Sequence, residues 1–312
     1  MRGTMLRVMA LAALMGTMPA AAAEDCAAIA ARAAAAWRAK STVSGLAGID
    51  AATAACVQKT LVQDLAPEAG APVGYKVGLT GKAMQERLGV DHPVAGVLLT
   101  GMLRFPAVKY AQDQSGKERM LIGPFPLGNG IAASTGPIPA DYAARPLVEA
   151  DLIAVVADEG INQAKTPAEV LEHLAGLYPF IELADLALAP DEKPTAESIT
   201  AINVGARLGV LGEPVAIEPG FADRLASMKV SLADGSGKVL AEAPGGAILG
   251  HPLNAVIWLA QDLAARGEAL RPGQLVSLGS FGPPTQPASG GTVTVRYDGL
   301  SAAPVSLSVR FQ

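Results

Sequence analysis

Apolar residues recur at helical spacing in two alanine-rich stretches near the start of the chain. These are 25–39 (CAAIAARAAAAWRAK) and 51–65, and they predict two successive helices, the second ended in the region of Pro67. The pattern then shortens. Residues 73–77 read as a strand, and Thr80 as the N-cap of a helix that runs through Leu88 and closes at Gly89. Residues 147–156 (LVEADLIAVV) form a β-type apolar run, followed by a predicted helix over 166–176 with Pro167 at an early position. A strand-like run covers 200–212, and two short strands flank Asp234-Gly235 within 228–242, a hairpin signal. A helix is predicted from Pro252 to Arg266, ended by Gly267. Strands follow over 274–281 and 292–311, the last interrupted at Asp298-Gly299. Helices gather at the front and strands dominate the rear, which is α+β rather than alternating βαβ. Between about 109 and 140 the chain is polar and then Gly/Pro-rich, a long excursion of loops and short strands.

The chain has 312 residues, 50% hydrophobic and 17% charged, a globular composition able to bury a sizeable core. Aromatics are only 4%, so alanine, valine and leucine must fill that core. The net charge of −5 and the absence of a basic run exclude nucleic acid as a partner, because phosphate binding needs a basic face. A small anionic substrate needs only one or two local cations and stays open.

The first 23 residues follow a different pattern. Arg2 and Arg7 precede or border an apolar run from Val8 to Met18, and Ala21-Ala22-Ala23 offers a small-residue cleavage site. This is the layout of a secretory signal peptide cut after Ala23. The run is short of the roughly 20 apolar residues a spanning helix needs, so no stable membrane span is expected after cleavage. A periplasmic or secreted protein follows, with residues 24–312 as one catalytic domain and 24–70 as its helical N-terminal part. Cys26 and Cys56 are the only cysteines and fall in successive helical stretches. In an oxidising compartment a bridge between them would staple a helical pair, and two free thiols are the alternative.

Candidate chemistry lies in carboxylates on apolar segments. Glu149 and Asp151 alternate along one strand and share a face. Glu182 sits in a similar setting, Pro179-Phe180-Ile181-Glu182-Leu183-Ala184. Such acids are costly unless a cation or donors satisfy them. Three of them suit a hard divalent ion such as Mg²⁺, and solvated edge strands are the competing reading. Lys76, between apolar residues and flanked by Gly74 and Gly78, is either snorkelling from an edge strand or paired with an anion such as a substrate carboxylate. The three histidines form no pair at metal-binding spacing, and nucleotide-binding and serine-hydrolase motifs are absent.

Four segments in order resemble the 2-keto-4-pentenoate hydratases of the fumarylacetoacetate hydrolase superfamily. They are Gly74-Tyr75-Lys76-Val77-Gly78-Leu79-Thr80 with Leu88-Gly89-Val90-Asp91, then Val148-Glu149-Ala150-Asp151, then the stretch from Leu249 to Ala260 (LGHPLNAVIWLA), and Gly279-Ser280-Phe281-Gly282-Pro283. The resemblance runs from about residue 25 to the end. It implies a mixed β-roll or sandwich core with a helical N-terminal part, and Mg²⁺ or Mn²⁺ held by Glu149, Asp151 and Glu182. It further implies Lys76 and Asn203 as catalytic groups, with Lys76, Leu79 and Ser280 at the substrate. The implied substrate is a small 2-hydroxy-2,4-dienoate taken as its 2-keto tautomer, and the implied assembly is a homo-oligomer.

The chain departs from the family pattern in several places. Pro93-Val94-Ala95-Gly96 lacks an acid and an aromatic residue, Leu147 stands in place of an arginine, and Leu186-Ala187 in place of a Ser-Arg pair. Ala201-Ile202-Asn203 replaces Ala-Asp-Asn, and residues 109–140 form an insertion. Hydration is the first reading. A decarboxylase or C–C hydrolase on related 2-keto acids, and an exported keto-acid binding protein of weak activity, are the alternatives.

Overall fold

In a computed structural model that describes residues 20–105, 109–112, 118–121, 132–133 and 136–312, the two alanine-rich stretches form α1 (Ala20–Ala39) and α2 (Ala51–Ala69). Most of the predicted leader, and more than half of the expected 109–140 insertion, lies outside the described residues. The Asp50 carboxylate accepts from the Thr53 N–H and caps α2. The predicted stop near Pro67 is corrected. The helix accommodates this proline in its last turn and ends at Gly70, whose φ of 88° suits glycine and whose N–H bonds to the Ala66 carbonyl. Cys26 and Cys56 are bridged, with Cα atoms 6.0 Å apart, so the expected staple joins α1 to α2.

The remaining elements in chain order are β1 (Pro72–Gly78), α3 (Lys82–Leu88), β2 (Val94–Leu99), β3 (Leu103–Phe105), β4 (Lys109–Gln112), β5 (Glu118–Leu121), β6 (Ala132–Ala133), β7 (Pro146–Val156) and α4 (Pro167–Glu172). They continue with β8 (Leu174–Asp185), α5 (Ala196–Ala201), β9 (Leu208–Leu211), α6 (Phe221–Ser227), β10 (Lys229–Asp234), β11 (Val239–Pro244), α7 (Asn254–Ala265), β12 (Leu275–Ser277), β13 (Thr292–Asp298) and β14 (Val305–Arg310). Four expectations change in detail. Gly81, not Thr80, caps α3, while Thr80 is buried and its carbonyl accepts from Leu249 N–H. Helix α4 ends at Glu172, because the residues from Leu174 onward pair with β7. The 200–212 run breaks into α5, a tight turn at 203–205 and the short β9. The strand predicted over 274–281 is only the three-residue β12, after which Gly279 takes φ 109°.

An eight-stranded mixed sheet in the order β2-β1-β12-β7-β8-β9-β3-β6 curls beside a four-stranded antiparallel sheet, β11-β10-β13-β14. This is the mixed core expected from the sequence. Strand β7 shows how the site is placed. Its residues Val148, Ala150, Leu152, Ala154 and Val156 point into a core shared with α7 and the four-stranded sheet. Its opposite face carries Ile153 and Val155 into a second core, closed by α1 and α2. Glu149 and Asp151 lie on that second face, where the helical cover gives way to polar side chains. Tyr297 of β13, fully buried, donates its hydroxyl to the Asp151 carbonyl and so ties the four-stranded sheet to β7 at this point.

Candidate active site

Strands β7 and β8 pair antiparallel with Glu149 directly opposite Glu182, and Asp151 opposite Phe180. Gly209 of β9 stands opposite Glu182, and the Phe180 ring fills the space a side chain there would need. On the other side of β7, β12 places Ser277 between β7 and β1, where Ser277 is the register partner of Lys76. The strands thus carry Lys76, Ser277, Asp151, Glu149 and Glu182 to one patch of the sheet.

Lys76 is 3% exposed and its ammonium forms an ion pair with the equally buried Glu182. Burial works against its charge, but Glu182, Glu149 and Asp151 together outweigh burial and raise its pKa above the ordinary lysine value. Lys76 is therefore a paired, buried cation, not a lysine on a solvated edge. Asp151 is fully buried. Its Oδ1 accepts from Leu152 N at 2.6 Å and Gly279 N at 2.9 Å, and its Oδ2 accepts from the Ser277 hydroxyl. Burial and the Glu182 charge still hold its pKa well above the usual carboxylate range. Burial, and then the facing Glu182, push Glu149 up to about 7 against the pull of Lys76.

Glu149, Asp151 and Glu182 lie on one patch of the sheet, but their side chains are not turned toward a common point as a ready ligand set. Among the described residues no three acidic, histidine or cysteine side chains are gathered so that they could hold one ion. The physical reason lies in the pairings just given: Glu182 turns to the Lys76 ammonium, and Asp151 fills both oxygens with protein donors. The chemistry of the donor set nonetheless fits a hard divalent cation. Three neighbouring carboxylates share the Lys76 ammonium, and Glu149 and Asp151 are held above the usual carboxylate range by burial first and by the Glu182 charge second.

Strained backbone surrounds this patch. Leu79, Asn203, Val204 and Leu249 have φ of 57°, 54°, 54° and 50°. Left-handed backbone is uncommon for non-glycine residues, and for β-branched Val204 it is a genuine outlier, so surrounding structure must enforce it. Leu79, expected at the substrate, packs with Val204, Val94 and Ile199 in a small apolar cluster apart from the main cores. Ser280 adjoins Gly279, which bonds to Asp151, but its own hydroxyl donates to the Gly282 carbonyl at 2.9 Å.

Asn203 is buried and largely committed elsewhere. Its Oδ1 accepts from Val97 N at 2.7 Å and Gln58 Nε2 at 3.4 Å, and its Nδ2 donates to Val97 O at 2.9 Å. These are three of the four hydrogen bonds an amide can make, so its expected catalytic role gives way to a grip on β2. Sequence reasoning missed Ser277, Gln58 and Val204, and named Gly279 only as part of a motif, without its bond to Asp151. A serine inside the apolar Leu275-Val276-Ser277-Leu278 run was the one available signal; nothing in the sequence marks Val204.

The histidines stay outside the patch's hydrogen bonds. The His251 ring contacts Ala222 O and accepts from Leu253 N, and His173 lies beside Asp158.

No family model matches the chain. It is 30% identical over 231 residues to the 2-keto-4-pentenoate hydratase of Burkholderia vietnamiensis, covering 74% of this chain and 76% of that protein. It is 26% identical over 239 residues to a 4-oxalocrotonate decarboxylase of Pseudomonas putida, covering 77% of each. Among solved structures, the 4-oxalocrotonate decarboxylase of Pseudomonas putida G7 complexed with magnesium and adipate aligns with a TM-score of 0.74. That alignment has 23% identity and covers 95% of this chain and 99% of the other. The fumarylpyruvate hydrolase of Pseudomonas aeruginosa, in complex with Mn²⁺ and pyruvate, aligns with a TM-score of 0.51 at 15% identity, over 78% of this chain and 90% of that one. These two likenesses are of fold.

Proposed function

The chain belongs to the 2-keto-4-pentenoate hydratase family and is a lyase, and from that premise we propose that it adds water to a 2-hydroxy-2,4-dienoate, giving a 4-hydroxy-2-keto acid, with Mg²⁺ or Mn²⁺ as cofactor. The observation that carries this reading is the buried Lys76 ammonium set among Glu182, Glu149 and Asp151. A divalent ion held by Glu149, Asp151 and Glu182 would supply Lewis-acid polarisation of the substrate's 2-oxo group.

The protein's own groups account for the rest. As the 2-hydroxydienoate takes its keto form, the hydroxyl proton leaves and another proton arrives at the far end of the diene. The remaining double bond becomes conjugated with the new carbonyl. Water then adds across that bond, its oxygen at C4 and its proton at C3. Negative charge gathers on the 2-oxygen at both stages. Lys76, charged and shielded from bulk water, is the group that meets it, and a fixed charge in a dry site needs little reorganisation. Asp151 is held rigid by Ser277, Leu152 N and Gly279 N, which also fixes β12 against β7. Leu79 and Val204 keep an apolar wall beside Gly78, limiting water to the reacting molecule.

Metal-stripped protein tests the reading. Restoration of dienoate consumption by Mg²⁺ or Mn²⁺ supports it, and full turnover without any divalent ion would end it. Decarboxylation is the second reading, favoured by the 26% identity to a 4-oxalocrotonate decarboxylase and served by the same enolate. Release of CO₂ from a 2-keto-dicarboxylate, with no hydration of the simple dienoate, would select it.

Export is proposed on two supports, the leader-like pattern over 1–23 and the Cys26–Cys56 bridge, a bond that persists in oxidising compartments. Among the described residues no helix is long and apolar enough to cross a membrane. Sequencing the N-terminus of protein from the native host should recover Glu24, and recovery of Met1 would count against cleavage. A homo-oligomer is part of the same proposal, checked by sedimentation.

A further inference from the structure

The strained Asn203-Val204 turn presses on the lysine's strand pair. Gly96 of β2 is the register partner of Lys76. A Cβ at Gly96 would lie 2.7 Å from the Asn203 carbonyl oxygen, 3.1 Å from Val204 Cβ and 3.1 Å from Lys76 Cγ. The turn, the strand and the stem of the lysine therefore meet at one point with no room to spare. Two consecutive left-handed non-glycine residues do not hold that geometry unaided.

Two side-chain amides hold it. Asn203 pairs with both the N–H and the carbonyl of Val97, the pattern a neighbouring strand would use. Gln58, on α2 and 7% exposed, donates to the Ala95 carbonyl at 2.7 Å and reaches Asn203 Oδ1 at 3.4 Å. The residues on either side of Gly96 are thus tied to one buried glutamine. That glutamine comes from the helix stapled to α1 through Cys56. None of these groups bonds a carboxylate of the patch.

We propose that Gln58 is a positioning residue: with Asn203 it clamps β2 at Ala95 and Val97 and thereby fixes Lys76 at the angle from which its ammonium meets the substrate's developing charge. The proposal rests on the reading of Lys76 given above. Gln58 never touches the substrate. Its loss lets the Asn203-Val204 turn relax and Lys76 swing, which slows the chemical step more than it weakens binding, since geometry of this kind acts mainly in the transition state.

The experiment is a double-mutant cycle on the Mg²⁺-loaded enzyme with Gln58→Met and Lys76→Met, reading kcat and KM for 2-hydroxypenta-2,4-dienoate and the thermal midpoint. Gln58→Met should lower kcat about 5–20-fold, with KM within about 2-fold. In the Lys76→Met background the same change should cost less than about 2-fold, because the group it positions is already gone. Equal losses in both backgrounds would make Gln58 a general stability residue and overturn the clamp while leaving Lys76's role standing. Full activity of Lys76→Met would overturn both. If Gln58→Met does not fold, Gln58→Asn keeps an amide but falls one methylene short of Ala95 O, and the same cycle is read with it. Unchanged kcat in a folded Gln58→Asn protein also overturns the clamp.

Discussion

Glu149 and Glu182 stand directly opposite one another across the β7–β8 pairing, two acids on adjacent strands of a buried sheet face. Like charges in that position destabilise a sheet unless something compensates them. Lys76 compensates in part, through its ion pair with Glu182.

Lys76→Met keeps most of the apolar stem and removes the charge. Turnover of the dienoate, as kcat/KM, should fall roughly 10²–10³-fold, the scale of losing one oxyanion-stabilising donor. Mg²⁺ affinity should hold or rise, because a cation that competes for Glu182 is gone. Calorimetric Mg²⁺ titration and turnover on one preparation check both statements. Turnover within a few-fold of the parent would leave Lys76 a structural lysine.

Burial, and then Glu182, hold the Glu149 pKa up at about 7, with Lys76 pulling the other way. An unfolded glutamate titrates near 4.3. Between these values the folded state keeps a proton that the unfolded state has released. Metal-free stability should therefore fall as pH rises from about 4.5 to about 7, and Asp151, shifted in the same direction, adds to the fall. A divalent ion needs the deprotonated acids, so Mg²⁺ should stabilise little at pH 5 and most at pH 8. Thermal scans of stripped protein with and without Mg²⁺ across this range give the answer. A metal-free midpoint that climbs with pH through this window would contradict the assignment.

The Cys26–Cys56 bridge closes a sequence separation of 30 residues. Chain entropy for a loop of that size predicts a loss of about 3–4 kcal/mol when it is removed. Cys26→Ala/Cys56→Ala should lower the unfolding free energy by that order in urea melts. A change under about 1 kcal/mol would show that α1 and α2 are held by packing alone.

Much of this architecture was legible in the sequence, for identifiable reasons. The apolar run over 147–156 gave β7, a strand buried on both faces, and the two-residue period of a strand put Glu149 and Asp151 on one of them. Gly89 and Gly267 marked true helix ends, since few other residues take left-handed backbone cheaply. Hidden features depended on tertiary pairing. Leu174 and Gly176 read as helix, yet β7 offers them strand partners in Val156 and Val155. Asn203 looked like a chemical group until its amide met Val97, a contact with a residue 106 positions away that no local pattern encodes. The carboxylates were placed on the right strands, but their partners Lys76, Ser277 and the Gly279 N–H could not be read from spacing.

Product identification tests the central claim most directly. 2-Hydroxypenta-2,4-dienoate is incubated with stripped protein plus Mg²⁺, and the product is followed by proton NMR beside an EDTA control. The account predicts loss of the diene signals and growth of a carbinol proton at C4, with no CO₂ released and no change in EDTA. A diene that persists with Mg²⁺ present, or one that hydrates equally well in EDTA, would contradict it.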